Sequence, residues 1–326
     1  MPTAGTHQYR DLQKRLTRTL RQRRRQQPFW GGDIVPTMTD LQPGVRELVQ
    51  AEVREFGEAQ LNALESDDVP LVEITATETT YRCCMPIAGY SMTWAKDVAQ
   101  TVARGNGVQY NPRDVKMQAT VRAIEEKAAK VTAVGSAQLN FTGFLNNPGV
   151  TPINSSFDPF AADSTPDHIA DWLLSFVGEV LINSNNVEYP DTMLMSIPLY
   201  ELLARKRMTD GVTSVLSYFV ANQQARSLSR VGQRVGAIIP MVECGSAYLE
   251  ANGVEAPGTN KDRIVLYPND PEVVEKHIMS GAIAMLPEDW TISKGARRIY
   301  PAYTFMSETM INFPGAFSYI KHAKDA

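Results

Sequence analysis

A long helical pattern near the middle of the chain runs directly into a segment of turn-forming residues. Asn111 can cap this helix, and Pro112 suits its first position. The apolar residues of the pattern recur every three or four positions, at Met117, Val121, Ile124, Ala128 and Val131. This spacing predicts an amphipathic helix over residues 111–134 that ends at Gly135.

The segment FTGFLNNPGV, residues 141–150, follows this helix. Its predicted structural residues are Phe141, Gly143, Phe144, Leu145, Asn146, Asn147, Pro148 and Gly149. The large apolar side chains would anchor the segment in the core, the asparagines would hydrogen-bond to the backbone, and the proline would stiffen the turn. We expect at least one of the two glycines to have a positive φ, and we expect the segment to connect two domains.

The region before the helix shows two further patterns. Residues 44–64 carry apolar residues at helical spacing, which predicts a helix. Residues 69–97 contain the strand-rich run EITATETTYRCCMPIAGYSMTW, which predicts a hairpin that turns near Pro86 and Gly89. Because such a hairpin has little core of its own, we expect it to be ordered by a neighbouring subunit.

The second half of the chain is a mixture of short helices and strands. An amphipathic helix is predicted to start at Thr165-Pro166. Further strands are predicted over 192–197, 237–244 and 262–268, further helices over 198–208 and 212–223, and irregular β structure over 273–320. Since no βαβ unit repeats, the pattern predicts the α+β class.

The charges are divided unevenly along the chain. Residues 1–27 carry eight Lys or Arg and one Asp, a net charge of +7, whereas the remaining residues carry 24 basic and 35 acidic side chains, a net charge of −11. Leu12, Leu16 and Leu20 add a thin apolar stripe to this basic arm. The pattern favours an arm that contacts nucleic acid or an acidic partner, with a merely solvated helical arm as the alternative.

No motif in the sequence predicts catalysis, a cofactor or a metal site. The loop GNGVQY, residues 105–110, has Tyr110 where a dinucleotide-binding loop needs its third glycine. The four histidines are scattered, and none has a second metal ligand four residues on. Cys83, Cys84 and Cys244 are too few for a disulfide framework. No apolar run is long enough to span a bilayer, and we expect no secretory signal.

Three stretches of the chain resemble a known family. They are RAIEEKAAKVTAVGSAQLNFTGFLNNPGV (122–150), SVLSYFVANQ (214–223) and DRIVLYPNDPEVVEKHI (262–278). They are similar to the major capsid proteins of tailed bacteriophages, which have the Johnson, or Hong Kong 97, fold and are related to encapsulin shell proteins. Together with the order of elements, the resemblance covers most of the chain from about residue 44.

The resemblance implies an α+β capsid fold with an N-terminal arm, an extended β-hairpin loop, a peripheral domain with a long spine helix, and an axial domain. The implied boundaries are 1–66 for the arm (basic over 1–27, helical over about 44–64), 67–110 for the extended hairpin or E-loop, 111–150 and 266–305 for the peripheral domain, and 151–265 and 306–326 for the axial domain. In this fold the hairpin lies over an adjacent subunit. Some relatives crosslink a loop lysine to a neighbour, but Lys96 lies at the base of the hairpin and does not suit that chemistry.

The implied function is structural. Hexamers and pentamers of the chain would assemble, in the bacterial host cytoplasm, into the icosahedral shell of a virion around double-stranded DNA. The expected partners are further copies of the chain, DNA without sequence specificity, and portal, scaffold and cement proteins, with no membrane, cofactor or enzymatic activity. The predicted lumenal DNA contacts are Arg10, Lys14, Arg15, Arg18, Arg21, Arg23, Arg24 and Arg25. The alternatives are an encapsulin-like nanocompartment and a soluble α+β enzyme.

Overall fold

The computed structural model describes residues 25, 27–56, 73–95, 98, 112–185, 187–226, 235–286, 292–294 and 297–323. Over these residues the strands are β1 (Thr37–Leu41), β2 (Glu47–Phe56), β3 (Glu73–Cys84), β4 (Ile87–Thr93), β5 (Ile153–Ser155), β6 (Thr192–Ser196), β7 (Ala237–Met241), β8 (Lys261–Tyr267), β9 (Val274–Met279), β10 (Ala284–Met285), β11 (Ile292–Lys294), β12 (Arg297–Tyr303), β13 (Met306–Ser307), β14 (Met310–Ile311) and β15 (Ser318–Ala323). The α-helices are α1 (Pro112–Val134), α2 (Pro166–Asn183), α3 (Ile197–Arg205), α4 (Val215–Arg226) and α5 (Ser246–Ala251).

The central sheet has five strands in the order β5-β15-β8-β6-β7. Its residues alternate between two hydrophobic clusters. Val265 and Tyr267 contribute to the cluster around the turn after α1, whereas Ile264 and Leu266 contribute to the cluster under helices α2, α3 and α4. Because both faces are covered, residues 264–267 of β8 form an uninterrupted apolar run rather than an alternating one.

The predicted helices and strands of this region are confirmed. Helix α1 covers the predicted span, and Gly135 follows it with φ +73. Helix α2 begins at Pro166, and the Thr165 hydroxyl accepts a hydrogen bond from the His168 amide at 3.3 Å, as an N-cap does. Strands β6, β7 and β8 lie within the predicted strand ranges or start one residue earlier.

The second sheet has the strand order β1-β9-β13-β3-β2, and β14 also pairs with β9. Strands β2 and β3 form a long antiparallel ribbon from the pair Glu47–Arg82 to the pair Phe56–Glu73. Residues 306–307 and 310–311, which belong to the stretch that the resemblance assigns to the axial domain, form β13 and β14 of this sheet. Of the strands after residue 305, β15 alone joins the central sheet within the described residues.

The prediction of a helix over residues 44–64 is wrong where the structure describes it, because residues 47–56 form strand β2. The valines that suggested a helix are four residues apart, a spacing that also puts them on one face of a strand. Val49 and Val53 lie opposite Thr80 and Ala76 of β3. Cross-strand pairs of β-branched residues favour a sheet, so the pairing with the Thr-rich β3 overrides the local helical spacing. Residues 57–64 lie outside the described residues.

The prediction of a hairpin over residues 69–97 is also wrong. Strand β3 pairs with β2 and β13, whereas β4 pairs along its whole length with β12 in a third sheet that includes β10 and β11. Met85 and Pro86 carry the chain from one sheet to the other instead of forming a hairpin turn. Strands β2 and β3 instead form a long two-stranded ribbon, which is called the hairpin ribbon below.

Candidate assembly surfaces

The turn segment that follows α1 closes the C-terminal end of that helix. The amide of Phe144 donates to the Thr132 carbonyl and the amide of Leu145 to the Ala133 carbonyl, both at 2.8 Å. The Asn146 side-chain amide donates to the Val134 carbonyl at 3.0 Å. The last carbonyls of a helix have no partner within the helix, so this turn supplies the donors that they need.

The two asparagines also shape the turn itself, as predicted. The Asn146 side-chain oxygen accepts from the Gly143 amide, and the Asn147 side-chain oxygen accepts from the Gly149 amide, both at 2.8 Å. Pro148 is exposed and lies within the second of these segments, between Asn147 and Gly149. Such side-chain-to-backbone bonds define a tight turn without regular secondary structure.

The prediction of a positive φ at Gly143 or Gly149 is wrong, since neither glycine lies in that region. The reason for a glycine at position 143 is instead the close approach of two backbone segments. A Cβ there would overlap the Gly135 nitrogen and the Val134 carbonyl carbon, and would lie 2.6 Å from Val134 Cα. Only a residue without a side chain lets the turn pack against the helix end.

The apolar residues of the turn are buried, as predicted. Phe144 and Leu145 are fully buried, and Phe141 is buried in a smaller cluster with Ile278 and Met306. The Phe144 ring packs against three aromatic rings, with centroid distances of 5.8 Å to Phe29, 4.9 Å to Tyr267 and 5.7 Å to Phe317. The turn is thus held between the N-terminal segment and the central sheet.

Buried polar groups add a second set of bonds between the turn and the central sheet. The Tyr319 hydroxyl donates to the Phe144 carbonyl, and the Arg263 guanidinium donates to the Leu145 carbonyl. Arg263 also pairs with Glu255, whose carboxylate lies 2.9 Å from Lys321 Nζ. Burial raises the pKa of Tyr319 far above its usual range, so this hydroxyl stays a donor at any physiological pH.

A buried lysine fastens the N-terminal segment to the second sheet. Lys276 on β9 is 1% exposed, and its ammonium donates to the Phe29 carbonyl and to the Trp30 carbonyl, the latter at 3.2 Å. It also lies 5.7 Å from the centroid of the Trp30 ring. Because burial disfavours the charged form, it lowers the pKa of Lys276 from 10.5 to about 7.

Arg25 is the one predicted DNA-contact residue that the structure describes. Its guanidinium lies 2.5 Å from the Glu243 carboxylate, whose side chain is 5% exposed. The structure therefore places Arg25 against the body of the subunit. The other predicted contacts, Arg10, Lys14, Arg15, Arg18, Arg21, Arg23 and Arg24, lie outside the described residues, as do the loop of residues 105–110 and Lys96.

The hairpin ribbon exposes an apolar face. Val49, Val53 and Ile74 are 61%, 59% and 67% exposed. The register places Val53 opposite Ala76, and Ile74 opposite Glu55 two residues further along β2, so the three side chains share one face of the ribbon. A row of exposed aliphatic side chains on a two-stranded ribbon is typical of a surface that another chain covers.

The described residues show no conventional chemical site. They contain no group of three or more His, Cys, Asp or Glu side chains placed to hold a metal ion. All three cysteines are free, and burial, the largest cause, raises the pKa of Cys83 to about 11 and that of Cys84 to about 12. These two thiols are therefore poor nucleophiles at neutral pH.

Among the described helices, none is long and apolar enough to cross a membrane.

Known protein structures with a similar fold are phage and particle capsids. The capsid of Myoviridae Phage XM1 matches with a TM-score of 0.69 and 13% identity, over 96% of this chain and 97% of that one. A structure from Mycobacterium phage Ogopogo matches with a TM-score of 0.59 and 12% identity, over 99% and 100%. The capsid of the native GTA particle matches with a TM-score of 0.60 and 11% identity, over 98% of each chain. These likenesses show that the chain has the capsid fold.

A family model gives the corresponding result at the level of sequence. No curated protein sequence matches the chain significantly. The model described as "Major capsid protein" matches residues 57–321, which include the long helix, the turn and the central sheet. This is a family of structural proteins that associate with further copies of themselves in virions. With the capsid fold and this match over most of its length, the chain belongs to the major capsid protein family.

Proposed function

We propose that this chain assembles into hexamers and pentamers that close into the icosahedral shell of a tailed phage around double-stranded DNA. The observation that carries the proposal beyond family membership is the apolar face of the hairpin ribbon. Nothing in the described part of the subunit covers Val49, Val53 or Ile74. A face of this kind needs a partner, and in a shell the partner is an adjacent copy.

In a closed shell, modest contacts between subunits are sufficient to hold the particle together. Each subunit would place its ribbon on one neighbour and receive the ribbon of another, which is a heterologous contact that closes into a ring. Since many such contacts must break together, the particle is stable even when each is weak. The buried bonds of the turn would hold the body of the subunit in the same fold in every copy.

The arrangement of the sheets supports a domain assignment, which is part of this proposal. The axial domain would be the central sheet with helices α2, α3, α4 and α5, and it would lie around the symmetry axis of each ring. The peripheral domain would be α1 with the second and third sheets, including β13 and β14. The extended hairpin would be the ribbon of β2 and β3 in place of residues 67–110.

The basic arm would face the lumen and contact DNA. An acidic shell wall repels packaged DNA, and a cationic segment offsets this repulsion through phosphate contacts that are independent of sequence. In this proposal Arg25, paired with Glu243, tethers the arm, and the basic residues before it are the DNA contacts.

Trypsin should leave residues 10–24 intact in sealed, filled particles and should cut them quickly in dissociated subunits. Rapid cleavage in sealed particles would place the arm outside.

Electron microscopy and nuclease digestion of the purified protein test the whole proposal. We expect closed shells that protect double-stranded DNA from the nuclease. In this proposal the shells assemble in the bacterial host cytoplasm, and portal, scaffold and cement proteins are their further partners. Shells that contain a protein cargo and no DNA would instead favour the encapsulin-like alternative. A small oligomer under all assembly conditions would exclude both shell functions.

A further inference from the structure

Glu308 joins three segments that are far apart in the sequence. Its side chain is largely buried, and it lies between β13 and β14. One carboxylate oxygen accepts a hydrogen bond from the Arg82 amide at 2.9 Å. The other accepts from both the amide and the hydroxyl of Thr142, each at 3.2 Å. Arg82 lies at the base of the hairpin ribbon, and Thr142 lies in the turn that closes α1.

The backbone around Glu308 strengthens the same junction. The Glu308 amide donates to the Arg82 carbonyl at 3.0 Å, so both backbone groups of Arg82 are bonded to this one residue. The adjacent Thr309 hydroxyl donates to the Thr132 carbonyl in the last turn of α1, also at 3.0 Å. The direction in which the ribbon leaves the subunit is thus coupled to the end of the long helix.

Among the described side chains, those in the remainder of the ribbon are mostly exposed. All the side chains from Ile74 to Thr80 are exposed, as are Val49, Ala51 and Val53 on β2. Strand β2 has 10 residues. At about 3.3 Å per residue it spans roughly 33 Å, so a rotation of about 10° at the base moves the far end by about 6 Å. Apolar contacts require heavy atoms within roughly 4.5 Å, so a shift of this size would break a contact between subunits.

We propose that Glu308 is a positioning residue for shell assembly, which sets the angle between the hairpin ribbon and helix α1 through its bonds to Arg82 and Thr142. This inference rests on the proposed shell function. In this inference Glu308 sets how neighbouring subunits meet, in addition to any contribution that it makes to the stability of one subunit.

The test uses the full chain with Glu308→Gln, which keeps the shape of the side chain but has one acceptor oxygen in place of two. We expect hydrogen exchange at the Arg82 or Thr142 amide to accelerate, because one of the two loses its acceptor. We also expect the yield of normal shells to fall about tenfold, the equivalent of one lost hydrogen bond to a charged group. Glu272→Gln, at an exposed carboxylate in the same region, is the matched control and should assemble normally.

The outcomes separate this inference from the proposed function. If the unmodified chain forms no shells, the proposed function fails. If the unmodified chain forms shells and Glu308→Gln forms them with equal yield and shape, the positioning role is wrong. Should Glu308→Gln fail to fold, Thr142→Val removes only the bond from the hydroxyl and should lower the yield several-fold. An unchanged yield from folded Thr142→Val would then overturn the inference.

Discussion

The central sheet and the hairpin ribbon have the same secondary structure but opposite surroundings. Strand β8 is covered on both faces, and its residues from Asp262 to Tyr267 are buried. Strands β2 and β3 are longer, yet their far ends expose even their aliphatic side chains. The comparison teaches that strand formation and strand burial are separate properties. The sheet stabilises the subunit, whereas the ribbon carries apolar surface that the described residues leave exposed.

The largest expected effect is at the aromatic cluster beside the central sheet. Phe144→Ala removes the ring that contacts Phe29, Tyr267 and Phe317, and it should lower the free energy of unfolding by about 3–5 kcal/mol. Denaturant unfolding of the dissociated subunit measures this change. Phe313→Ala, at a ring that is 50% exposed, is the control and should cost clearly less, about 1 kcal/mol. Similar losses for both variants would break the distinction between core and surface.

The second prediction tests the close approach of the turn to the helix. Gly143→Ala forces a Cβ into the backbone of Val134 and Gly135, and it should destabilise the subunit by about 3 kcal/mol. Gly178→Ala is the matched control, because a Cβ there on helix α2 meets no atom within 4 Å. It should stabilise the subunit by roughly 0.5–1 kcal/mol, since alanine is the better helix former. A neutral Gly143→Ala would contradict the role of backbone contact.

The third prediction concerns the pH dependence due to Lys276. Its pKa is about 7 in the folded subunit and about 10.4 in an unfolded chain, so the unfolded state binds more protons between these values. Stability should therefore rise with pH across this window, by about 3 kcal/mol between pH 7 and pH 10. Lys276→Met should remove this part of the pH dependence, whereas Lys130→Met, at an exposed lysine, should retain it. Equal pH profiles for Lys276→Met and the unmodified subunit would show that the burial of Lys276 has no such effect.

The smallest effect on subunit stability is expected on the hairpin ribbon. The double variant Val49→Ser and Val53→Ser should change the free energy of unfolding by less than about 0.5 kcal/mol, because both side chains are already exposed. It should nevertheless prevent or strongly reduce shell assembly, which light scattering can follow. Thr77→Ser, on the other face of the ribbon, is the control. Normal shells from the double variant would show that this face is not the contact between subunits.

Much of the central region could be predicted from local sequence alone. Thr165 and Pro166 mark the start of α2, and Gly135 marks the end of α1, because caps and breakers act within one or two turns of a helix. The burial of Phe144 and Leu145 and the bonds of Asn146 followed from residue type. The family resemblance rested in part on the stretch 122–150, which contains Gly135 and the turn, and the match to the major capsid protein family confirms the resemblance.

The sequence by itself determined which residues are apolar, which positions break helices and where charge is concentrated. Which strand pairs with which was decided by the tertiary structure. Residues 47–56 have helical spacing in isolation, and they become a strand because β3 offers pairing along their whole length. Likewise, the three bonds to the Glu308 side chain join residues that are 166 and 226 positions away from it, and no local pattern can reveal such contacts. The physical reason is that caps and turns depend on near neighbours in the chain, whereas sheet partners and buried polar contacts depend on how the whole chain packs.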